Sequence, residues 1–150
     1  MKKLEEYSCL FLDTSPFIYF IEENKKYLAI VEKIFSGISY GDVKGISSYL
    51  TLLEVLVKPI QAGHREVAVQ YRDLMLGSDF LRLYPLDDKV AETAATLRAK
   101  YHGNGFKIRT PDAIQAATAI LNGAEVFITN DCSLKRLKEI DVMLLDELLA

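Results

Sequence analysis

KIRTPDAIQAATAILNGAEVFITNDCS, Lys107 to Ser133, is the stretch that decides the fold, because it places two aspartates at two junctions that can face each other. Thr110 is a good N-cap residue and Pro111 suits the first helical position, so a helix opens here with Asp112 in its first turn. Asp112 then sits at the positive end of a helix dipole. Ala113, Ile114, Ala116, Ala117, Ile120 and Leu121 cover most of that helix's circumference, which predicts burial against a sheet and not an amphipathic surface helix. Asn122-Gly123 stops it. Val126 to Thr129 reads as a short strand, and Asp131 follows in the loop past its C-terminal end, where open parallel sheets bind ligands.

The same kind of junction recurs upstream. Cys9 to Leu12 is a continuous apolar run, as expected of a strand buried on both faces, and it ends at Asp13 followed by Thr14, Ser15 and Pro16, a cap and a helix start. That helix carries Phe17, Ile18, Phe20 and Ile21; a second carries Tyr27, Ile30, Val31, Ile34, Phe35 and Ile38, with Gly41 as its stop. Val43 to Ser47 reads as a second strand. Ser47 or Ser48 caps a helix through YLTLLEVLVK that Pro59 is expected to break. Glu54 is the oddity in it, a carboxylate among core formers. A helix from about Gly63 to Leu76, a strand from Phe80 to Tyr84, a helix capped by Asp87 or Asp88 through Ala91, Ala94, Leu97 and Tyr101, and a last edge strand from Asp141 to Leu145 complete the pattern. Alternating strands and helices argue for a three-layer α/β/α sandwich with a mainly parallel central sheet, a single domain over residues 1–150.

Composition narrows the class. Half the residues are hydrophobic, 26 per cent are charged, and there are eight glycines and four prolines, which argues against disorder or low complexity. No run approaches membrane-spanning length, and the start has too short an apolar stretch for a signal peptide, so no membrane partner is expected. Cys9 and Cys132 form no CxxC, which points to a reduced, cytoplasmic protein. A net charge of −3 argues against a strongly basic coat for nucleic acid and leaves local basic patches open.

Four carboxylates stand at suggestive junctions: Asp13, Glu54, Asp112 and Asp131. In a parallel sheet all four can lie along one edge. Like charges at ~4 Å cost about 1 to 4 kcal/mol per pair, so such a cluster calls for a cation, and oxygen donors without nearby Cys or His favour Mg²⁺ or Mn²⁺. The chemistry that follows is metal-assisted attack of water on a phosphodiester. Each acid also has a plainer reading: Asp112 as dipole complement, Asp131 as cap of a helix near Ser133, Asp13 as a turn residue, and Glu54 on a solvated stripe with Ser47, Thr51 and Lys58. Together the plainer readings weaken, because four independent caps need not point to one sheet edge.

Between Glu92 and Asp112 there is no acidic residue, while Arg98, Lys100, Lys107 and Arg109 stand with Tyr101, His102 and Phe106. Lys107 and Arg109 are candidates to hold a nucleic-acid backbone; a solvated helix end followed by a basic loop explains the same residues. Lys135, Arg136 and Lys138 form a second basic group or the polar face of a short helix. Gly103-Asn104-Gly105 opens like a dinucleotide fingerprint, but Ile108 takes the third glycine position and no strand directly precedes it. His64 and His102 are not spaced as a zinc site.

LDTS at Leu12 to Ser15, SSYLTLLEVL around Glu54, TPDAIQAATA from Thr110 and FITND ending at Asp131 together resemble the PIN-domain ribonucleases, with order and spacing similar to the toxins of VapBC toxin-antitoxin systems. The segment from Pro59 to Tyr101 adds little to the likeness. The resemblance implies a PIN-like fold in which Asp13, Glu54, Asp112 and Asp131 are the catalytic and metal-binding acids, supported by Ser15 and Thr129, with Arg109 near substrate phosphate. It also implies Mg²⁺- or Mn²⁺-dependent cleavage of RNA leaving 5′-phosphate and 3′-hydroxyl ends, a homodimer, and a small antitoxin partner. Two other readings stay open: a PIN-like module for RNA or protein binding without turnover, and an RNA-processing nuclease that is not a toxin. The chain departs from the pattern at Leu134, where many relatives have an aromatic residue, and in about eight extra residues before the first strand.

Overall fold

In the computed structural model, residues 2–103 and 105–149 are described; Asn104 lies outside them. Five strands, β1 (Cys9–Leu12), β2 (Lys44–Ser48), β3 (Leu81–Tyr84), β4 (Val126–Thr129) and β5 (Asp141–Leu144), form one sheet in the order β3-β2-β1-β4-β5. Every pairing is parallel, so all strand C-termini share one edge. Six helices connect them: α1 (Thr14–Ile21), α2 (Leu28–Ser39), α3 (Tyr49–Gln61), α4 (Arg65–Leu76), α5 (Asp88–Lys100) and α6 (Thr110–Leu121).

The period-2 alternation of the strands sorts these helices into two layers. Leu10 and Leu12 of β1, Val126 and Ile128 of β4 and Met143 of β5 point to one face, where they pack with Phe17 of α1, Val31, Ile34, Phe35 and Ile38 of α2, Val55 of α3, and Tyr71 and Met75 of α4. Cys9 and Phe11, Ile46, Phe127 and Val142 point to the other, covered by Val90, Ala94 and Leu97 of α5 and by Ala113, Ala116 and Ala117 of α6. Small residues let α6 lie close on the sheet, above Phe11 and Phe127, which are register partners with stacked rings 4.9 Å apart. Ala91, expected among the core residues of α5, is exposed. The arrangement is the α/β/α sandwich expected from the sequence.

Local readings held within a residue or two, with two corrections. The helix of the opening stretch starts at Thr110, so Arg109 is its N-cap residue and gives no side-chain cap bond; the Thr110 hydroxyl instead accepts from Arg98 Nη1 at 2.7 Å. Pro59 does not end α3, which runs to Gln61. It stands in the last turn, where its missing N–H removes only one helical bond, its ring is buried, and its carbonyl accepts from His64 N at 2.8 Å as the chain leaves through Gly63 at φ +73°. The residues before β1 fold back on the chain: Tyr7 is buried and donates from Oη to Asp141 Oδ2 at 3.0 Å. Leu134 is buried in the layer of α5 and α6.

Candidate functional site

Chain reversal along the sheet order happens between β1 and β4, whose connections run to opposite sides, the place beyond the strand C-termini where open parallel sheets bind ligands. Asp13 stands there. Its backbone N donates to Ile128 O at 3.0 Å, extending the β1–β4 ladder by one step. It occupies the N-cap position of α1 without capping through its side chain; Oδ2 instead accepts from Thr129 Oγ1 at 2.8 Å. The fully buried Thr129 also accepts, at the same Oγ1, from the backbone N of Asp131 at 3.1 Å. One hydroxyl thus fixes the end of β4 to the end of β1.

Glu54 arrives from the neighbouring layer, in the second turn of α3, because Ser48 ends β2 and caps α3 by accepting from Thr51 N at 3.1 Å. Thr14, the first residue of α1, directs its hydroxyl at Glu54 Oε1 at 3.3 Å and Asp13 Oδ1 at 3.5 Å, bridging the two carboxylates. Asp112 comes from the first turn of α6, where its Oδ2 accepts from Arg109 Nε at 3.1 Å. Asp131 opens the turn after β4 and accepts from Ser133 N at 3.0 Å and Ser133 Oγ at 2.7 Å, so the capping role open from the sequence is one it does perform.

The electrostatics tie the four acids into one cluster. Burial pushes the Asp13 carboxyl above its ordinary range; the Thr129 bond opposes this, and the charges of Asp112 and Asp131 add to it. Glu54 is exposed, as a solvated stripe would have it, yet partial desolvation of its carboxyl raises it, with Asp13 the next contributor. Asp112 is raised by burial against the pull of Arg109, with Asp131 again repelling. Three carboxylates that ionise reluctantly, partly because they face other carboxylates, form a site that a cation would relieve. All donors are oxygens, which suits Mg²⁺ or Mn²⁺ and not a thiolate- or imidazole-binding metal. Among the described residues no three such side chains are drawn together into a ready cage.

Ser15 lies half-buried in the first turn of α1, one residue past the threonine that makes the contacts. The basic residues divide. Arg98 clamps the chain before α6 by donating to Ile108 O and Thr110 Oγ1. Lys135 pairs with Glu147 at 2.7 Å, Lys100 pairs with Glu139 at 3.3 Å, and Arg136 donates to Gly105 O at 2.6 Å. Lys107 and Arg109 are exposed, and Arg109 reaches the cluster through Asp112. Sequence reasoning missed Thr14, although it stands inside the LDTS motif, and missed Gln115, a buried polar residue one turn beyond Asp112 that alternation of apolar residues alone does not flag.

An all-parallel five-stranded sheet with helices on both faces, and acids gathered beyond the C-terminal ends of its central strands, defines an α/β protein of the doubly wound class with its candidate site at the strand-order reversal. The chain belongs to the PIN domain family, whose profile matches residues 10–140. Similar solved structures include a DNA-bound VapBC from Salmonella typhimurium (23% identity, 92% of this chain and 98% of that one, TM-score 0.71). VapBC2 from Rickettsia felis, bound to a fragment of its promoter DNA, matches at 20% identity over 91% of this chain and 98% of that one, TM-score 0.70. The sarcin-ricin-loop-cleaving toxin VapC20 from Mycobacterium tuberculosis matches at 15% identity over 88% and 98%, TM-score 0.67. At these identities the likeness is one of fold. No curated protein sequence matches significantly.

Proposed function

We propose that the protein is a Mg²⁺- or Mn²⁺-dependent endoribonuclease and the toxin of a type II toxin-antitoxin pair. The observation that carries the reading is the acidic cluster: Asp13, Glu54 and Asp112 come from the early turns of three helices, and each carboxyl is raised by desolvation and by neighbouring acids. Asp13, Glu54, Asp112 and Asp131 would hold the ion, which supplies Lewis-acid charge at the phosphorus and its leaving oxygen. Thr129 and Thr14 hold the Asp13 and Glu54 carboxylates in place, and Ser15 shapes the same turn. Glu54 Oε1 is bonded to Thr14, and its other oxygen takes the proton that an attacking water loses. The new P–O bond forms as the bond to the ribose 3′-oxygen breaks; that oxygen is protonated by solvent, leaving 5′-phosphate and 3′-hydroxyl ends. Lys107 and Arg109, both exposed, are the cations this reading assigns to substrate phosphates.

The same reading takes residues 1–150 as one cytoplasmic domain, a homodimer with RNA as substrate and a small antitoxin as partner. No helix is long and apolar enough to cross a membrane among the described residues. The exposed Leu53, Val57 and Ile60 on α3 supply apolar surface for protein contacts. One observation favours a second reading, a binding module without turnover: the Asp112 carboxylate is engaged by Arg109 at 3.1 Å. Mn²⁺ binding and EDTA-sensitive RNA cleavage by the purified protein, both lost in Asp112→Asn, support the nuclease; RNA binding with no cleavage at any metal concentration supports the module.

A further inference from the structure

Glu54 and Asp112 belong to helices on opposite faces of the sheet, α3 and α6, which come together only beyond the C-terminal end of β2. Their meeting point is polar. Ser48, Thr51 and Gln115 are all essentially inaccessible to solvent, at 2%, 0% and 1% exposure. They close a ring: Ser48 Oγ donates to Gln115 Oε1, Gln115 Nε2 donates to Thr51 Oγ1 at 2.6 Å, and the Ser48 and Thr51 hydroxyls lie 3.4 Å apart. Ser48 Oγ also accepts from Thr51 N, so the ring includes the cap of α3.

The spacing along each helix links this ring to the acids. Thr51 precedes Glu54 by three residues on α3, and Gln115 follows Asp112 by three residues on α6. Positions three apart lie on the same helical face, one above the other. Each acid therefore stands one turn along its helix from the ring. Apolar side chains at these three sites would fill the space and still allow the helices to slide or rotate; a closed set of directional bonds admits one register. Burying three polar side chains is costly unless each is satisfied, and among the described residues no buried side-chain polar atom lacks a partner.

We propose that Gln115, with Thr51 and Ser48, is a positioning residue that fixes α3 against α6, holding Glu54 and Asp112 at the separation from which the cluster binds its cation. The inference rests on the metal-dependent reading above. It acts through the helices: the hydrogen bonds of the three side chains run within the ring and not to the acids.

Thr51 allows a direct test, because Thr51→Ser removes a methyl and keeps the hydroxyl, whereas Thr51→Val removes the hydroxyl and keeps the shape. Mn²⁺ affinity of the full chain is measured by calorimetry, with thermal melting of the same samples. The expected result is a loss of about tenfold in Mn²⁺ affinity for Thr51→Val and for Gln115→Leu, the lower end of what loss of an outer partner of metal ligands costs, and about twofold or less for Thr51→Ser. The double variant Thr51→Val/Gln115→Leu removes donor and acceptor together and should fold at least as well as either single variant, while its Mn²⁺ affinity stays low. Wild-type affinity in the folded double variant, or equal losses in Thr51→Ser and Thr51→Val, overturns the positioning role while the nuclease reading stands. Absence of Mn²⁺ binding by the wild type overturns the nuclease reading itself and this inference with it.

Discussion

Thr129→Val removes the hydroxyl that joins Asp13 to the end of β4. The substitution keeps the shape of a side chain that is 0% exposed and removes the 2.8 Å donor to Asp13 Oδ2, together with the acceptor for Asp131 N. A hydrogen bond to a charged group contributes about 1.5 to 3 kcal/mol, so the metal-free variant should lose roughly 2 kcal/mol at neutral pH, about 4 to 8 °C in melting temperature for a chain of this size. The sign of its pH dependence follows from Asp13. Burial already holds that carboxyl above its unfolded value while Thr129 pulls it down, so removing Thr129 raises it further. The penalty is full above the folded-state pKa, where the carboxylate is charged, and shrinks as pH falls through it, where a neutral carboxyl no longer needs the donor. Urea unfolding of wild type and variant at several pH values between 4.5 and 8, with EDTA present, measures this. A penalty that is independent of pH, or absent at neutral pH, refutes the assignment of Thr129 as the group that stabilises a charged Asp13.

The remaining predictions are simpler. Because Asp13, Glu54 and Asp112 are all raised in the folded state, the metal-free protein should become less stable as pH rises from the unfolded carboxylate range through their folded values, and saturating Mn²⁺ should remove much of that decline; unfolding curves with and without the ion check it. Asp112→Asn should cut cleavage by about 100-fold or more while changing metal-free stability by less than about 1 kcal/mol, since its partner Arg109 is largely exposed; single-turnover rates and melting curves separate the two. Gly45→Ala would place a Cβ 2.5 Å from Cδ1 of the buried Ile38, and the repacking should cost about 1 to 3 kcal/mol in urea unfolding with RNA cleavage retained.

Much of this architecture was legible in the chain because local signals and tertiary burial agree. The runs Cys9–Leu12 and Val126–Thr129 are buried on both faces, as parallel central strands require; Asp13 follows the first at once, and Asp131 follows the second after Asn130. Ser48 and Asp87 cap where capping chemistry says they should. Pro59 misled because the cost of proline depends on where in a helix it falls, and that position is set by tertiary packing beyond it. Thr110 misled by one residue because Arg98, ten positions before Ile108 and on another helix, takes its hydroxyl. The acids were visible as junction residues; the hydroxyls that orient them were not all visible, since Thr14 and Gln115 acquire their partners from residues 40 or more positions away.

The most direct test of the central claim is cleavage of a mixed pool of tRNA and rRNA by the purified protein with Mg²⁺, Mn²⁺ or EDTA, comparing wild type with Asp112→Asn and mapping the 5′ ends. The account predicts cuts at a few sites that carry 5′-phosphates, need the divalent ion and vanish in the variant. Cleavage that persists in EDTA or in Asp112→Asn, or no cleavage by folded wild-type protein supplied with either ion, would contradict it.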